Sequence, residues 1–546
     1  MKHSKNDFDY IVVGAGSAGC VVANRLSADP SVRVALIEAG PSDRRFPVNV
    51  KTSLPVGNIF LLPHARYNWQ HEFTGGEGVN GRSLMCPRGK VMGGCSSVNG
   101  SVYIRGHSSD YDGWADQGNP GWGYDDVLKV FRQHENWHGG ETAYHGVGGV
   151  LDVSRPMSPN PLSCAFVEAA REAGYFSNDD FNGAQQDGFG IYDLNQRRGV
   201  RLSSSRAFLH PVLYRTNLTV FSDTLVEGLR LQGTRVIGVT VVRNGERLEL
   251  GASHEVVLSG GSVNTPQLLM LSGIGPEQEL KRHGIHVTAL LEGVGQNLQD
   301  HPTVYVSREN PSAESYAWSL KSLPRIVTSP ISYLFGHKGM LSSNAAEAGG
   351  FIRTLPELPR PDVQMTFLVG LKGSARTIPR DHGFMVLVQL LRPLSRGSLT
   401  LASANPADKP LMYPNFLEHP EDVSTLVRGL RSARKIFDSD RLRPYSGVEI
   451  EPGKSVTTDA QLTSLARSQV STAYHPVGTC KMGPESDEMA VVDARLRVYG
   501  MQGLRIADAS IMPNIIGGNT SAPSTMIGER AASFILEDAG VQRMAA

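Results

Sequence analysis

The feature that most constrains how this chain can fold is a glycine-rich turn near its N-terminus. The β-branched run Asp9–Val13 leads into Gly14–Gly19, which reads GAGSAG, and apolar residues at helical spacing follow over Cys20–Leu26. Strand, tight turn and helix in this order predict the first unit of a dinucleotide-binding fold. The glycines permit a sharp turn and a close backbone approach to a pyrophosphate, whose charge the helix N-terminus attracts.

The residues after this turn strengthen a prediction that the glycine pattern alone leaves weak, because the chain has 59 glycines among its 546 residues. A second apolar run, Val32–Ile37, ends in Glu38, 19 residues after Gly19. A carboxylate at this distance accepts hydrogen bonds from both ribose hydroxyls and disfavours a 2′-phosphate. The sequence therefore predicts FAD or NAD rather than NADP.

Composition narrows the classes of protein further. Lys and Arg total 53, as do Asp and Glu, so the chain lacks the excess of positive charge that nucleic-acid binding requires. The five cysteines are scattered without a CxxC pair, which argues against a metal site and favours a reducing cytoplasm. We expect no export signal and no membrane-spanning helix, so membrane association is expected to be peripheral at most.

Several longer segments separate FAD from NAD. Arg88–Asn99 reads RGKVMGGCSSVN and Gly261–Gly275 reads GSVNTPQLLMLSGIG; further segments are Gly293–His301, Ser395–Gly397 and Tyr474–Ala532. Together they resemble the glucose–methanol–choline (GMC) oxidoreductases, in particular the bacterial FAD-dependent alcohol, sorbose and choline dehydrogenases. The resemblance implies an α/β, Rossmann-like FAD-binding domain with an inserted α+β substrate domain that contains a mostly antiparallel sheet.

The resemblance also implies how the chain divides and which residues hold the cofactor. The FAD-binding domain is expected to comprise residues 1–160, 210–305 and 460–546, and the substrate domain residues 161–209 and 306–459. Val98 stands where some relatives carry a histidine that bonds covalently to FAD, so noncovalent FAD is expected. The residues expected to bind FAD are Gly14, Gly16, Ser17, Ala18, Gly19, Glu38, Ala39, Arg88, Gly93, Gly94, Ser97, Asn99, Gly100, Val226, Asp508, Ala509, Asn519 and Thr520.

By the same resemblance, a catalytic pair lies near the C-terminus: His475 in STAYHPVGTCKMG and Asn519 in GGNTSAP. Alcohol oxidation needs a group that takes the hydroxyl proton while the carbon-bound hydrogen leaves as hydride for flavin N5. Imidazole, with an ordinary pKa of about 6.5, suits that task. The Asn519 amide can hold the substrate oxygen and stabilise its developing charge. His301 is interpreted as a structural residue near the domain junction.

The sequence thus predicts FAD-dependent oxidation of an alcohol to an aldehyde or ketone, with a dehydrogenase for primary alcohols or polyols as the default. The expected electron acceptor is oxygen or a quinone-type compound, so an oxygen-using alcohol oxidase stays open. The same scaffold hosts hydroxynitrile lyases and light-driven fatty-acid decarboxylases, which are the rival functions. Glu347 resembles a residue near the substrate pocket of relatives, with a structural or exposed carboxylate as an equal alternative.

Overall fold

The structure is a computed structural model that describes residues 6–371 and 380–540. Within these residues the strands form two large sheets and several small ones. No helix there combines the length and the apolar character needed to cross a membrane. The α-helices are Ser17–Leu26, Val48–Ser53, Asn58–Leu61, Ser108–Asp116, Tyr124–His134, Pro161–Glu172, Gly261–Leu271, Glu277–Arg282, Leu323–Gly336, Pro420–Phe437, Asp459–Gln469 and Ser521–Asp538.

The first large sheet is built around the glycine turn. The strand order is Leu218–Phe221, Val34–Ile37, Asp7–Val13, Glu246–Leu258, Arg235–Arg243 and Thr224–Gln232, and Leu504–Ile506 also pairs with Glu246–Leu258. Asp7–Val13 is parallel to both of its neighbours, whereas Arg235–Arg243 is antiparallel to both of its own. Residues 34–36 are fully buried, as expected for a parallel strand that is covered on both faces.

Helix Ser17–Leu26, which follows the glycine turn, packs against helix Ser521–Asp538 from the other end of the chain. Gly528 allows the close approach, because a Cβ there would lie 2.7 Å from the carbonyl oxygen of Ala18. Arg25 then holds Glu529 through two hydrogen bonds of 2.8 and 2.7 Å. The last helix therefore completes the unit that the first strand begins.

The second large sheet is antiparallel and confirms the expected inserted sheet. Its strand order is Glu449–Glu451, Pro302–Glu309, Gly383–Leu390, Val363–Leu368, Ala348–Ile352 and Gly188–Ile191, and Ser471–Thr472 also pairs with Pro302–Glu309. Helices Pro161–Glu172 and Pro420–Phe437 pack against it. The fold is thus the expected combination of an α/β dinucleotide-binding domain and a second domain with an antiparallel sheet.

Sheet membership differs from the expected domain boundaries at three places. The boundary after residue 305 falls inside strand Pro302–Glu309, which lies wholly in the second sheet. Ser471–Thr472 pairs with the same strand, although residues 460–546 were expected in the FAD-binding domain. The π-helical turn Ser205–Leu209 instead packs on helix Ser17–Leu26 of the first domain. We assign each strand to the sheet with which it pairs, and the turn Ser205–Leu209 to the helix on which it packs. We therefore propose that the first part of the substrate domain ends before residue 205, and that its second part begins at residue 302 and ends after residue 472.

The remaining strands of the described residues form small sheets of two to four strands. One small sheet contains Ser398–Thr400, Leu411–Tyr413, His71–Phe73 and Leu84–Cys86. The other short pairs are Ile274–Gly275 with Ala289–Leu290, Glu135–Trp137 with Leu151–Val153, and Gln196–Arg197 with Val200–Arg201.

Candidate active site

The glycine turn brings backbone segments into direct contact. Gly14 has a φ of +99°, and a Cβ at this position would lie 2.4 Å from the carbonyl oxygen of Ser259. A Cβ at Gly19 would lie 1.9 Å from the carbonyl oxygen of Gly14. A side chain at either position would force the segments apart, so glycine is required at both. Helix Ser17–Leu26 begins directly after the turn and offers its unpaired N-terminal amides.

Glu38 lies at the end of the neighbouring strand and is tied to this turn. Its carboxylate accepts hydrogen bonds from the backbone amides of Ala15, at 3.1 Å, and Gly40, at 2.9 Å. Burial raises its pKa to about 7, and the two amides oppose that rise. The carboxylate keeps lone pairs that can accept further hydrogen bonds, as binding of ribose hydroxyls requires.

These elements line one large cleft. It has about 1940 Å³ of empty space, including the part open to solvent. Its cavity volume is about 330 Å³, which lies within the roughly 300–1,000 Å³ of small-ligand sites. The predicted site residues that line the cleft are Gly14, Gly16, Ser17, Ala18, Glu38, Ala39, Arg88, Gly94, Asn99, Gly100, Val226, His475, Asp508, Ala509, Asn519 and Thr520.

Three of the residues expected to bind FAD lie behind the wall of the cleft instead. Gly19 packs against Gly14. The amide of Gly93 donates to the carbonyl oxygen of Ala15 at 2.8 Å, and the Ser97 hydroxyl donates to that of Met92 at 2.7 Å. These residues therefore hold the lining segments in place rather than facing the cavity.

Another part of the lining was missed by the sequence analysis, namely Thr224, Leu225 and residues 259–265. Residues 259–265 could have been predicted from the sequence. They follow strand Glu246–Leu258, and ligands in such folds bind beyond the carboxyl ends of parallel strands. Asp508 fixes this segment by accepting hydrogen bonds from the Gly261 amide at 2.9 Å and the Thr265 hydroxyl at 2.6 Å.

His475 and Asn519 meet at the wall of the cleft. Nε2 of His475 lies 3.2 Å from Nδ2 of Asn519. Tyr474, just before the histidine, has a φ of +67°, which is uncommon for a residue with a side chain. Its carbonyl oxygen accepts a hydrogen bond of 2.5 Å from Arg88. The surrounding structure therefore imposes a strained backbone in order to present His475.

A second histidine determines which nitrogen of His475 carries the proton. Nδ1 of His301 lies 3.0 Å from Nδ1 of His475, and Nε2 of His301 lies 3.1 Å from the carbonyl oxygen of Ile516. A carbonyl only accepts, so Nε2 of His301 donates. Burial lowers the pKa of His301 to about 4, so this ring is neutral and its Nδ1 accepts. His475 therefore carries its proton on Nδ1 and presents an unprotonated Nε2 to Asn519.

Burial also lowers the pKa of His475 well below its ordinary value, and the charge at Arg88 acts in the same direction. The ring is therefore neutral near neutral pH. An imidazole that is neutral, oriented and unprotonated on the nitrogen that faces the cleft can take a proton from a bound hydroxyl.

Asp300 holds the backbone around both histidines. Its Oδ1 accepts hydrogen bonds from the amides of His301, at 2.7 Å, and His475, at 2.9 Å. Its Oδ2 accepts from the Thr472 hydroxyl. Burial raises the pKa of Asp300 to about 6. One carboxylate thus joins the two loops, and His301, interpreted from sequence as structural, directly contacts the expected base.

The second sheet orients the other member of the pair. Gln364, on strand Val363–Leu368, donates from Nε2 to Oδ1 of Asn519 at 3.2 Å. This bond turns the amide nitrogen of Asn519 towards His475, so the amide can donate to an oxygen bound between them. A strand of the second sheet therefore contacts the expected catalytic pair directly.

Glu347 has a structural role in this arrangement. Its side chain is fully buried and accepts hydrogen bonds from the Asn160 amide at 2.6 Å, the Ser163 hydroxyl at 3.0 Å and the Ser343 hydroxyl at 2.5 Å. The carboxylate thereby joins the segment before strand Ala348–Ile352 to the start of helix Pro161–Glu172. Of the two interpretations of Glu347, the structural one agrees with these contacts.

Parallel strands around a glycine turn, a cleft beyond that turn and an imidazole–amide pair at the wall of the cleft are features of a flavoprotein oxidoreductase. Comparison with known families makes this specific. Two profiles with the description GMC oxidoreductase match residues 8–303 and 393–528. The chain belongs to the GMC oxidoreductase family, which confirms the resemblance stated from its motifs.

Individual relatives cover almost the whole chain. An alcohol dehydrogenase [acceptor] of Pseudomonas putida is 44% identical over 533 residues, which are 97% of this chain and 96% of the relative. The mitochondrial choline dehydrogenase of Homo sapiens is 43% identical and is covered to 90%, with 97% of this chain aligned. Among solved structures, pyridoxine 4-oxidase from Mesorbium loti has a TM-score of 0.86 at 30% identity, covering 96% of this chain and 98% of its own.

Proposed function

We propose that the protein binds FAD noncovalently and oxidises a hydroxyl group of a primary alcohol or polyol to an aldehyde or ketone. One observation carries the proposal: the unprotonated Nε2 of His475 lies at the cleft, 3.2 Å from the amide nitrogen of Asn519. A hydroxyl that donates to the first nitrogen and accepts from the second can lose its proton while its oxygen is held.

The chain's own residues account for the proton and for the charge that develops on the substrate oxygen. His475 takes the proton on Nε2, and Nδ1 keeps its hydrogen bond to His301, which accepts from the imidazolium. Asn519 donates to the oxygen as negative charge develops there. Helix Ser521–Asp538 begins two residues after Asn519 and adds the positive end of its dipole. FAD, when bound, supplies the two-electron acceptor for the hydride.

The residues of the cleft fit this cofactor. Gly14 and Gly19 leave backbone where a Cβ would collide, the helix N-terminus faces the space for a pyrophosphate, and Glu38 can accept from a ribose. Val98 lines the cleft with an aliphatic side chain that has no nucleophilic atom. We therefore expect acid precipitation to release the flavin into solution. Yellow colour that stays in the protein pellet would contradict noncovalent binding.

The names of the relatives support an acceptor other than oxygen, since one is an alcohol dehydrogenase [acceptor] and another a choline dehydrogenase. Oxygen is the second candidate, because a pyridoxine 4-oxidase has a closely similar structure and other relatives are oxygen-dependent choline dehydrogenases. All five cysteines are unpaired, which supports a reducing compartment such as the cytoplasm.

Anaerobic mixing of the holoenzyme with a panel of primary alcohols and polyols tests the proposal. Alcohol oxidation without oxygen leaves the electrons on the flavin, so its visible absorbance should bleach in the dark. A lyase would convert its substrate without bleaching, and a photodecarboxylase would require light. Readmission of oxygen then separates the two acceptors: rapid return of colour with peroxide release indicates an oxidase, and persistent bleaching until a quinone is added indicates a dehydrogenase.

A further inference from the structure

Helix Leu323–Gly336 turns an apolar face to solvent. Its large apolar side chains recur three or four residues apart, which places them on one side of the helix. The exposed members are Leu320 (88%), just before the helix, and Leu323 (49%), Val327 (62%), Ile331 (58%), Leu334 (75%) and Phe335 (89%) within it.

The opposite side of this helix faces the protein and is the less apolar one, since two serines accompany the half-buried Ile326 and Tyr333 there. Ser322 and Ser329 are buried there. Arg325 reaches back along the protein surface, donating to the carbonyl oxygens of Ala313 and Glu314 at 3.1 Å each and pairing with the Glu314 carboxylate at 2.6 Å. A helix of a globular protein normally has the reverse arrangement, with apolar residues inward. Packing within the protein therefore does not explain why the exposed face of this helix is apolar.

A second group of exposed apolar side chains adjoins this helix. The turn Met340–Ser342, just after the helix, contacts the turn Pro55–Gly57. The segments on either side of that second turn expose Phe46 (82%), Val50 (45%), Ile59 (40%) and Phe60 (43%). We call the two groups together the apolar patch.

Basic residues outnumber acidic ones around the apolar patch, where Arg325 pairs with Glu314 and Arg45 with Asp223. Residues 315–346 contain Lys321, Arg325 and Lys338 and not one Asp or Glu. Residues 44–71 contain Arg44, Arg45, Lys51 and Arg66 and again no acid. Apolar side chains with basic residues beside them are the composition of helices that lie in the interface of an anionic bilayer.

We propose that the apolar patch docks the protein onto the surface of an anionic lipid bilayer, with helix Leu323–Gly336 lying in the interface. Charge selects this occupant over a second copy of the chain. A symmetric contact between two copies would bring the same basic residues together, and like charges facing each other disfavour it. Anionic headgroups instead complement them.

Docking here would also bring the cleft close to the bilayer. Leu62, one residue beyond helix Asn58–Leu61, lines the cleft, while Ile59 and Phe60 in that helix belong to the patch. If the proposed dehydrogenase function holds, an acceptor dissolved in lipid has a short route to the flavin; this consequence rests on the proposed function, whereas docking itself does not.

Sedimentation of the FAD-loaded enzyme with lipid vesicles tests the proposal. Wild type should bind vesicles of phosphatidylcholine and phosphatidylglycerol in equal parts, and bind pure phosphatidylcholine more weakly. The double variant Leu334→Ser/Phe335→Ser should lower the partition coefficient for the mixed vesicles by about 10-fold or more. Lys321→Gln/Lys338→Gln should lower it by roughly 10-fold and remove most of the preference for the anionic lipid.

Phe176→Ser provides the matched control, because Phe176 is 68% exposed but lies at the opposite end of the second sheet. The carbonyl oxygen of Phe176 accepts a hydrogen bond from the Phe189 amide in strand Gly188–Ile191, close to the Ile352 end of the neighbouring strand. Tyr316, in the segment before helix Leu323–Gly336, instead donates its amide to the carbonyl oxygen of Val369, at the other end of the sheet. This variant should bind vesicles as wild type does.

Turnover with a water-soluble dye as acceptor reports folding separately, and all three variants should keep it. Unchanged binding by the Leu334→Ser/Phe335→Ser variant would overturn the proposal. So would a wild-type dimer in sedimentation velocity that this variant converts to monomers, because the patch would then be an interface between copies. Failure of alcohol to bleach the flavin, by contrast, would remove the proposed function and leave docking untouched.

Discussion

The wall of the cleft and the proposed catalytic pair lie side by side and are built in opposite ways. The wall is formed by backbone: Gly14 lines the cleft, Gly19 packs directly behind it, and both matter because they carry no side chain. The pair is a row of side chains in which the Ile516 carbonyl orients His301, His301 orients His475, and Gln364 orients Asn519 across from it.

The two regions should therefore respond differently when a residue in them is substituted. A side chain added to the backbone wall would push the packed segments apart, so it should abolish cofactor binding and activity together. A row of side chains can lose one member and keep the rest, so its variants should retain the flavin and lose rate in graded steps.

Gly19→Ala should abolish flavin binding and therefore all activity. Its Cβ would lie 1.9 Å from the carbonyl oxygen of Gly14, so the turn must open, at a cost on the order of 3 kcal/mol of folding free energy. Gly113→Ala in helix Ser108–Asp116 is the control, since its Cβ meets nothing within 4 Å and should stabilise by about 0.5–1 kcal/mol. Flavin content and thermal unfolding measure both. A yellow, active Gly19→Ala protein would break the contrast.

His475→Ala should lower kcat by roughly 10²- to 10⁴-fold while the flavin content stays at the wild-type level. The reason is loss of the proton acceptor from a cleft whose backbone wall is unchanged. Stopped-flow measurement of anaerobic flavin bleaching by alcohol isolates this step from reoxidation. Bleaching at a near-normal rate would exclude His475 as the base.

His301→Ala should lower kcat by about 10- to 100-fold, less than removal of the base itself. Without the Nδ1 acceptor of His301, the proton of His475 is free to occupy either nitrogen, and the fraction with an unprotonated Nε2 falls. His301→Asn places a carbonyl oxygen near the lost Nδ1 and should recover part of the rate. If alanine and asparagine behave alike, His301 acts only by filling space.

Gln364→Met should lower kcat/KM by roughly 3- to 10-fold, because one hydrogen bond of about 0.5–1.5 kcal/mol no longer orients the Asn519 amide. Methionine keeps the length and approximate volume of the side chain. Steady-state kinetics of both proteins with the same alcohol provide the comparison, with flavin content as the check on folding. Equal kcat/KM values would show that the second sheet does not orient the amide.

Mild acid should have the smallest effect. Burial keeps the pKa of His475 below its ordinary value, so the neutral base persists as the pH falls towards about 6.5. The pH profile of kcat/KM should therefore be flat from neutral pH down to that value and decline only below it. A decline that begins above about pH 7 would mean that another group, or a charged His475, controls the reaction.

The strand–turn–helix unit could be predicted from sequence because local spacing constrains it. The turn at residues 14–16 leads directly into helix Ser17–Leu26, and the strand that ends beside Glu38 is parallel to the strand before the turn, so a short stretch of sequence contains the whole arrangement. The inserted antiparallel sheet was also confirmed, although by resemblance rather than by spacing. Its boundaries stay a prediction, and we propose to move one of them because strand Pro302–Glu309 continues directly from the loop that holds His301.

The partners of the catalytic pair could not be predicted in the same way. His301 contacts His475 across 174 residues, and Gln364 contacts Asn519 across 155. No periodicity links such positions, since their proximity depends on how the two sheets meet. The motif that ends in His301 suggested a role at the domain junction, and only the packed structure puts this ring within hydrogen-bonding distance of the base.

The pairing of helix Ser17–Leu26 with helix Ser521–Asp538 constrains the order in which the chain can fold during its synthesis. A nascent chain leaves the ribosome with its N-terminus first, so the surface of Ala18 that Gly528 covers stays uncovered until residue 528 has been made. Strand Glu246–Leu258 likewise lacks its partner Leu504–Ile506 until that segment has been made. The domain that contains the glycine turn therefore cannot finish folding before these late segments emerge, and in the meantime its incomplete apolar surfaces are candidates for chaperone binding.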